Sequence, residues 1–161
     1  MQEILSEVRE YRINHVTVTG GEPLAQKDCS KLLTVLCDEG YQVSLETSGA
    51  IDVSCVDDRV MKILDIKTPG SGEADKNIFQ NLDYVNHRDQ VKFVICDRAD
   101  YEWSKNELDE YQLIGRCEIL FSNSHNQLSA TTLAEWILED RLPVRLQVQL
   151  HKYLWGDTPG K

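Results

Sequence analysis

Four short segments concentrate the residues able to bind and act on a small polar molecule. Thr19-Gly20-Gly21-Glu22-Pro23 pairs a carboxylate with two glycines, whose bare backbone lets a ligand approach amides and carbonyls closely. Glu46-Thr47-Ser48-Gly49 puts a carboxylate, two hydroxyls and a flexible residue together. Asp65-Ile66-Lys67-Thr68-Pro69 carries an acid and a base two residues apart, hence on one face of a strand. Ser122-Asn123-Ser124-His125 adds hydroxyls and an imidazole. A further cation, Lys92, lies inside the apolar run Val91-Lys92-Phe93-Val94. Each segment alone also reads as ordinary structure: a tight turn, a hydroxyl-capped loop, a self-satisfied ion pair, a snorkelling lysine, an exposed histidine. Together they offer acceptors for an ammonium and cations for a carboxylate, which a zwitterionic ligand needs.

The elements that must position them alternate in type. Strand-length apolar runs fall at 15–19, 42–46, 62–66, 90–96, 118–121 and 144–149. Helical periodicity fills most gaps. Residues 2–11 place Ile4, Leu5 and Val8 on one face, and residues 28–39 do the same with Leu32, Leu33, Val35 and Leu36 before Gly40 at the C-terminal cap. Asp100 is expected to cap a helix through Tyr111, and Ser129 one carrying Leu133, Trp136 and Ile137. Residues 68–75 read as a loop and 155–161 as a tail. Strand–helix alternation of this kind predicts an α/β fold with a mainly parallel sheet. Such sheets bind ligands at the carboxyl ends of their strands, where the four segments begin.

The chain has 161 residues, enough for one domain, with 41% hydrophobic residues. Its 17 basic and 27 acidic side chains leave a formal charge of −10, which repels phosphate backbones and argues against direct nucleic-acid binding. No apolar run is long enough for a membrane span and no signal peptide opens the chain, so a cytoplasmic protein is expected. The five cysteines, at 29, 37, 55, 96 and 117, are odd in number and match no compact metal-ligand spacing. They are expected to be buried or half-buried small hydrophobes.

The motif set Thr-Gly-Gly-Glu-Pro (19–23), then Glu-Thr-Ser-Gly (46–49), then Asp-Ile-Lys (65–67) resembles the radical S-adenosylmethionine superfamily. Asp65 to Glu73, Gln90 to Val94 and Gln149 to Gly156 narrow the resemblance to 7-carboxy-7-deazaguanine synthases. That resemblance implies an incomplete TIM-like barrel. It also implies conversion of 6-carboxy-5,6,7,8-tetrahydropterin to 7-carboxy-7-deazaguanine and ammonia, in queuosine biosynthesis. The cofactors implied are S-adenosylmethionine, a [4Fe–4S] cluster and Mg2+; the partners are a pterin substrate, a second copy in a homodimer and an electron donor such as flavodoxin. Thr19 would contact substrate. Gly20, Gly21, Glu22, Ser48, Asp65, Ile66, Lys67, Ser122 and His125 would bind the cofactor, Glu22 at the methionyl ammonium. The family's cysteine loop has no counterpart here. Residues 1–161 are therefore expected to form a single partial domain without the first strand, inactive by themselves. Two alternatives stand beside this: a cluster-free remnant acting as a binding module, and an unrelated phosphate-binding domain. The second lacks both GxxxxGK[ST] and GxGxxG.

Overall fold

The computed structural model describes residues 1–156 and 158. Its centre is a six-stranded sheet in which every pair is parallel and the order follows the chain, from β1 to β6. The strands are β1 (His15–Val18), β2 (Gln42–Thr47), β3 (Met61–Ile66), β4 (Gln90–Ile95), β5 (Glu118–Asn123) and β6 (Arg145–Gln147). The helices are α1 (Gln2–Glu10), α2 (Cys29–Asp38), α3 (Arg98–Glu110), α4 (Ala130–Asp140) and α5 (Leu150–Trp155). An all-parallel sheet with sequential order is an open segment of a barrel, and the carboxyl ends of all six strands face one rim.

Side-chain alternation divides the sheet into two faces. Val43, Leu45, Leu64, Ile66, Val91, Phe93, Ile119 and Phe121 join Leu33, Leu36, Tyr101, Leu108 and Leu133 in one buried cluster. Fully burying such a side chain contributes about 1.5–3 kcal/mol, so this helix-covered face is the core. The opposite face carries Thr17, Ser44, Glu46, Ile63, Asp65, Lys92, Leu120 and Ser122 by the same alternation. It is the more polar side.

Helix ends follow their sequence signals where the chemistry is local. Gly40, at φ +87°, ends α2: its N–H donates to the Cys37 carbonyl and the Tyr41 N–H to the Leu36 carbonyl. This is a Schellman closure. Ser129 Oγ accepts from the Thr132 N–H at 3.0 Å and starts α4. For α3 the expected cap is displaced. Asp97 is the capping residue, accepting from the Asp100 N–H at 2.9 Å. Asp100 lies inside the first turn with its carboxylate buried among other donors.

Other expectations need correction. Ile4 is 45% exposed, while Leu5 of the same helix is buried. The loop at 68–75 contains tight turns at Pro69–Ser71 and Ala74–Lys76, and a further one follows at Phe79–Tyr84. Sequence patterns for one-turn 3₁₀ segments are weak because side chains three apart eclipse and leave no face. Trp155 ends helix α5 rather than opening a tail, and residues 157 and 159–161 of that expectation lie outside the described residues. Cys29 is buried and Cys37, Cys96 and Cys117 are half-buried, but Cys55 is exposed, in the loop after β2.

Candidate active site

The rim at the strand ends holds a cleft of about 170 Å³ lined by Thr19, Gly20, Gly21, Glu46, Ser48, Asp65 and Lys67, with Thr47, Ile63 and Lys92 completing it. Gly20 and Gly21 both take positive φ, +100° and +58°. That region is disfavoured for residues with a Cβ. A Cβ at either position would meet nothing within 4 Å, so the glycines serve backbone conformation and leave open space above it. Thr19 Oγ1 donates to Glu46 Oε2 at 3.2 Å, joining the ends of β1 and β2.

Glu22 does not line this cleft; it braces it from beneath. One carboxylate oxygen accepts from the Leu24 N–H (3.1 Å) and Thr47 Oγ1 (2.8 Å). The other accepts from the Ser48 N–H (2.8 Å) and Ser48 Oγ (2.5 Å). Partial burial raises its pKa, but the hydrogen bonds from Ser48, Thr47 and Leu24 outweigh that and hold it below the usual glutamate value. A ligand ammonium at Glu22 must share or displace these donors.

Asp65 and Lys92 are direct neighbours across β3 and β4. Lys67 Nζ donates to Asp65 Oδ2 at 3.0 Å, and Lys92 Nζ lies 3.9 Å from the same oxygen. One carboxylate thus faces two ammoniums, and with Glu46 the charged side chains lining the cleft balance. Asp65 Oδ1 is buried and has no hydrogen-bond partner. Buried carboxylate oxygens rarely go unpaired, so this atom is available to a ligand donor. Asp65, Lys67 and Lys92 also border a second cavity of about 480 Å³ that runs towards Ser71, Ser124 and Gln149.

Two asparagines that sequence reasoning did not single out, and Asp100, which it expected only as a helix cap, fix these loops. Asn77 accepts from the Lys67 N–H and donates to the Lys67 carbonyl, both at 2.9 Å. Asn81, 1% exposed, donates to the carbonyls of Gly49 and Ile51 and accepts from the Val53 N–H. Asp100 accepts from Thr68 Oγ1 and the amides of Gly70 and Cys96. Their only sequence signal is an amide or acid near a loop, which is too common to act on.

The expected residues do not all converge. Thr19, Gly20, Gly21, Ser48, Asp65 and Lys67 do. Ile66 turns its side chain into the core, where it is 1% exposed, and offers the second cavity its backbone edge. Ser122 is buried with an unpartnered Oγ beside β6, where its register neighbour Gln147 has an unpartnered Oε1. His125 is exposed and borders a separate depression with Lys152.

For a zwitterionic cofactor the residues fit: glycine-freed backbone at one end, a two-lysine, one-carboxylate cluster at the other. For a metal cluster they do not. Among the described residues no group of three His, Cys, Asp or Glu side chains could hold a metal ion. The thiols are scattered: Cys96 follows the carboxyl end of β4, Cys117 precedes the opposite end of β5, and Cys29 opens α2.

No family model matches the chain. Individual relatives do. It is 43% identical over 159 residues to the 7-carboxy-7-deazaguanine synthase of Chlorobaculum tepidum, covering 97% of this chain and 72% of that one. It is 38% identical over 174 residues to that of Koribacter versatilis, covering 98% and 77%. Among solved structures, QueE from Escherichia coli superposes with a TM-score of 0.71 at 21% identity, over 92% of this chain and 62% of that one. SuiB from Streptococcus suis bound to S-adenosylmethionine superposes at 0.59 and 13% identity, over 91% and 40%. An open, all-parallel α/β barrel segment of this kind defines the fold class, which these two solved structures share. Within that class, the chain belongs to the 7-carboxy-7-deazaguanine synthase family.

Proposed function

We propose that this chain supplies the ligand-binding side of an enzyme that converts 6-carboxy-5,6,7,8-tetrahydropterin to 7-carboxy-7-deazaguanine and ammonia, for queuosine biosynthesis. The observation that carries the reading is the pairing of family membership with the rim. In a chain 43% identical to a synthase, acceptors and cations suited to a zwitterion line one cleft.

S-adenosylmethionine, when bound and reduced by one electron from the cluster, would supply the radical chemistry for hydrogen abstraction from the substrate. The residues here do the holding. The backbone at Gly20 and Gly21 faces the ammonium, whose three N–H donors need acceptors. Lys67 faces the cofactor's carboxylate, and Asp65 Oδ1 accepts from a ribose hydroxyl. Glu22 keeps the Gly20–Gly21 loop and Ser48 in register through its four donors. Thr19, tied to Glu46, stands where the substrate meets the cofactor. Ser122, buried beside β6, and His125, at a separate depression, lie outside this cleft and take no part in the holding.

The [4Fe–4S] cluster and Mg2+ of the family have no ligand set among the described residues. Their ligands are proposed to lie outside residues 1–161, so these residues alone are inactive. A homodimer, a flavodoxin-type reductant and a cytoplasmic location complete the proposal. Among the described residues no helix is long and apolar enough to cross a membrane.

The test is anaerobic reconstitution of residues 1–161 with iron and sulfide. The expected result is no stoichiometric cluster absorbance and no 7-carboxy-7-deazaguanine, but measurable S-adenosylmethionine binding by calorimetry. Turnover by these residues alone would overturn the division of labour; failure to bind the cofactor would overturn the site. A cluster-free binding module is the second reading, favoured by the scatter of the thiols. It predicts cofactor or pterin binding with no product even when a cysteine-loop segment is supplied.

A further inference from the structure

The cavity beyond Lys67 has an edge made by Thr68, Gly70 and Cys96. These residues come from two different strand ends, after β3 and after β4. One carboxylate gathers them. Asp100, 1% exposed, accepts from Thr68 Oγ1 at 2.9 Å, the Gly70 N–H at 2.8 Å and the Cys96 N–H at 3.0 Å. Thr68 Oγ1 also lies 3.0 Å from the Val94 carbonyl, so its single proton is shared between β4 and Asp100.

This is not simple helix capping. An acid at the third helical position ordinarily reaches back to the N–H of the capping residue. Asp97 caps α3, and Asp100 passes over it to the amide of Cys96 and across to the β3 loop. Gly70 shows how closely the parts fit. A Cβ there would stand 2.5 Å from Asp100 Oδ2 and 3.0 Å from Cγ. Gly70 is not among the glycines with positive φ, so its backbone would accept a side chain. The carboxylate is what requires glycine at this position.

We infer that Asp100 is a positioning residue of the ligand site: it holds the Thr68–Gly70 edge, and through it the Lys67 end of β3, in the arrangement that binds ligand. The inference rests on the reading that this rim binds S-adenosylmethionine. Asp100 touches no ligand itself.

Four variants of the full chain test it: Asp100→Asn and Gly70→Ala, and the double Gly70→Ala/Asp100→Ala beside Asp100→Ala. The readouts are S-adenosylmethionine affinity by calorimetry and site-resolved amide hydrogen exchange. Asp100→Asn puts a donor where an acceptor stood, and Gly70→Ala drives a methyl into the carboxylate. Each is expected to weaken binding at least about tenfold, the loss of one to two charge-assisted hydrogen bonds. Exchange should quicken at Gly70 and Cys96 while Leu108, in the body of α3, keeps its protection. The double variant should bind no worse than Asp100→Ala alone, because the added methyl then has room. Unchanged affinity in both single variants, an exchange increase spread evenly over α3, or additive losses in the double variant would each overturn the inference. A wild-type chain without affinity for S-adenosylmethionine would instead remove the functional reading. Exchange at Gly70 and Cys96, and additivity in melting temperature, would then decide whether Asp100 holds the edge.

Discussion

Glu22 accepts from four donors while remaining partly exposed, so its role is mechanical before it is chemical. Glu22→Ala leaves the amides of Leu24 and Ser48 and two hydroxyls without their acceptor. The expected cost is roughly 1–3 kcal/mol of folding stability at neutral pH, read from urea unfolding, together with weaker cofactor binding. The pH dependence has a definite sign. Hydrogen bonding holds the folded-state pKa of Glu22 below the ordinary value of 4.5. Its contribution is therefore fully present above about that value and is lost as pH falls through the lower folded value. The stability gap between wild type and Glu22→Gln should narrow steadily below pH 4.5. A gap of constant size down to the acid transition would show that the carboxylate is not held in its charged form.

The strands and most helices were legible because their signals are local and periodic. The apolar runs at 15–19, 42–46, 62–66 and 90–96 each match a strand to within a residue or so. Topology then placed the loops after β1, β2 and β3 on one rim. What was not legible depends on contacts between distant segments. Asp100 looked like a cap because acids near helix starts usually are; its partners lie 30 and 32 positions away or in the preceding turn, and nothing in the sequence pairs them. Asn81 is the same case. Asn81→Ala would strand the Ile51 carbonyl and the Val53 N–H and leave the Gly49 carbonyl with only the Ile78 N–H. The expected loss is roughly 1–3 kcal/mol, with faster exchange confined to residues 49–53; loss of protection throughout the sheet would argue against a local latch. At the opposite end of the barrel, Lys62 and Asp89 form an ion pair at 3.1 Å with side chains only 4% and 1% exposed. Asp89 also accepts from the amides of Lys62 and Asn86. Removing one partner of a buried pair costs about 3–5 kcal/mol, and the two ends are unequal. Lys62→Met leaves Asp89 with two backbone donors, whereas Asp89→Ala leaves a buried ammonium and two orphaned amides. Asp89→Ala should be the more destabilising in urea titrations, and the reverse order would show that Asp89 is held mainly by the lysine.

For the whole molecule, two opposing terms decide how it behaves in solution. β1 pairs only with β2 among the described residues, so its other edge offers unpaired backbone groups, which invite pairing with another chain. Beside it Met1, Ile4, Val18, Pro23 and Leu32 line a groove of about 430 Å³. Burying that groove against a second copy would favour association. The formal charge of −10 opposes it, because like-charged copies repel over the Debye length. Salt shortens that length from about 10 Å at 0.1 M to about 3 Å at 1 M, while apolar contact does not weaken with added salt. Self-association should therefore rise with ionic strength, as measured by sedimentation velocity across a salt series. Val18→Lys should suppress it at every salt concentration, since it places a charge in the groove next to the open edge. The melting temperature should fall only modestly, because Val18, though packed against the core, is half-buried. Association that weakens with salt would mean that ion pairs, not the apolar edge, hold the copies together. A Val18→Lys chain that still associates would place the contact elsewhere on the molecule.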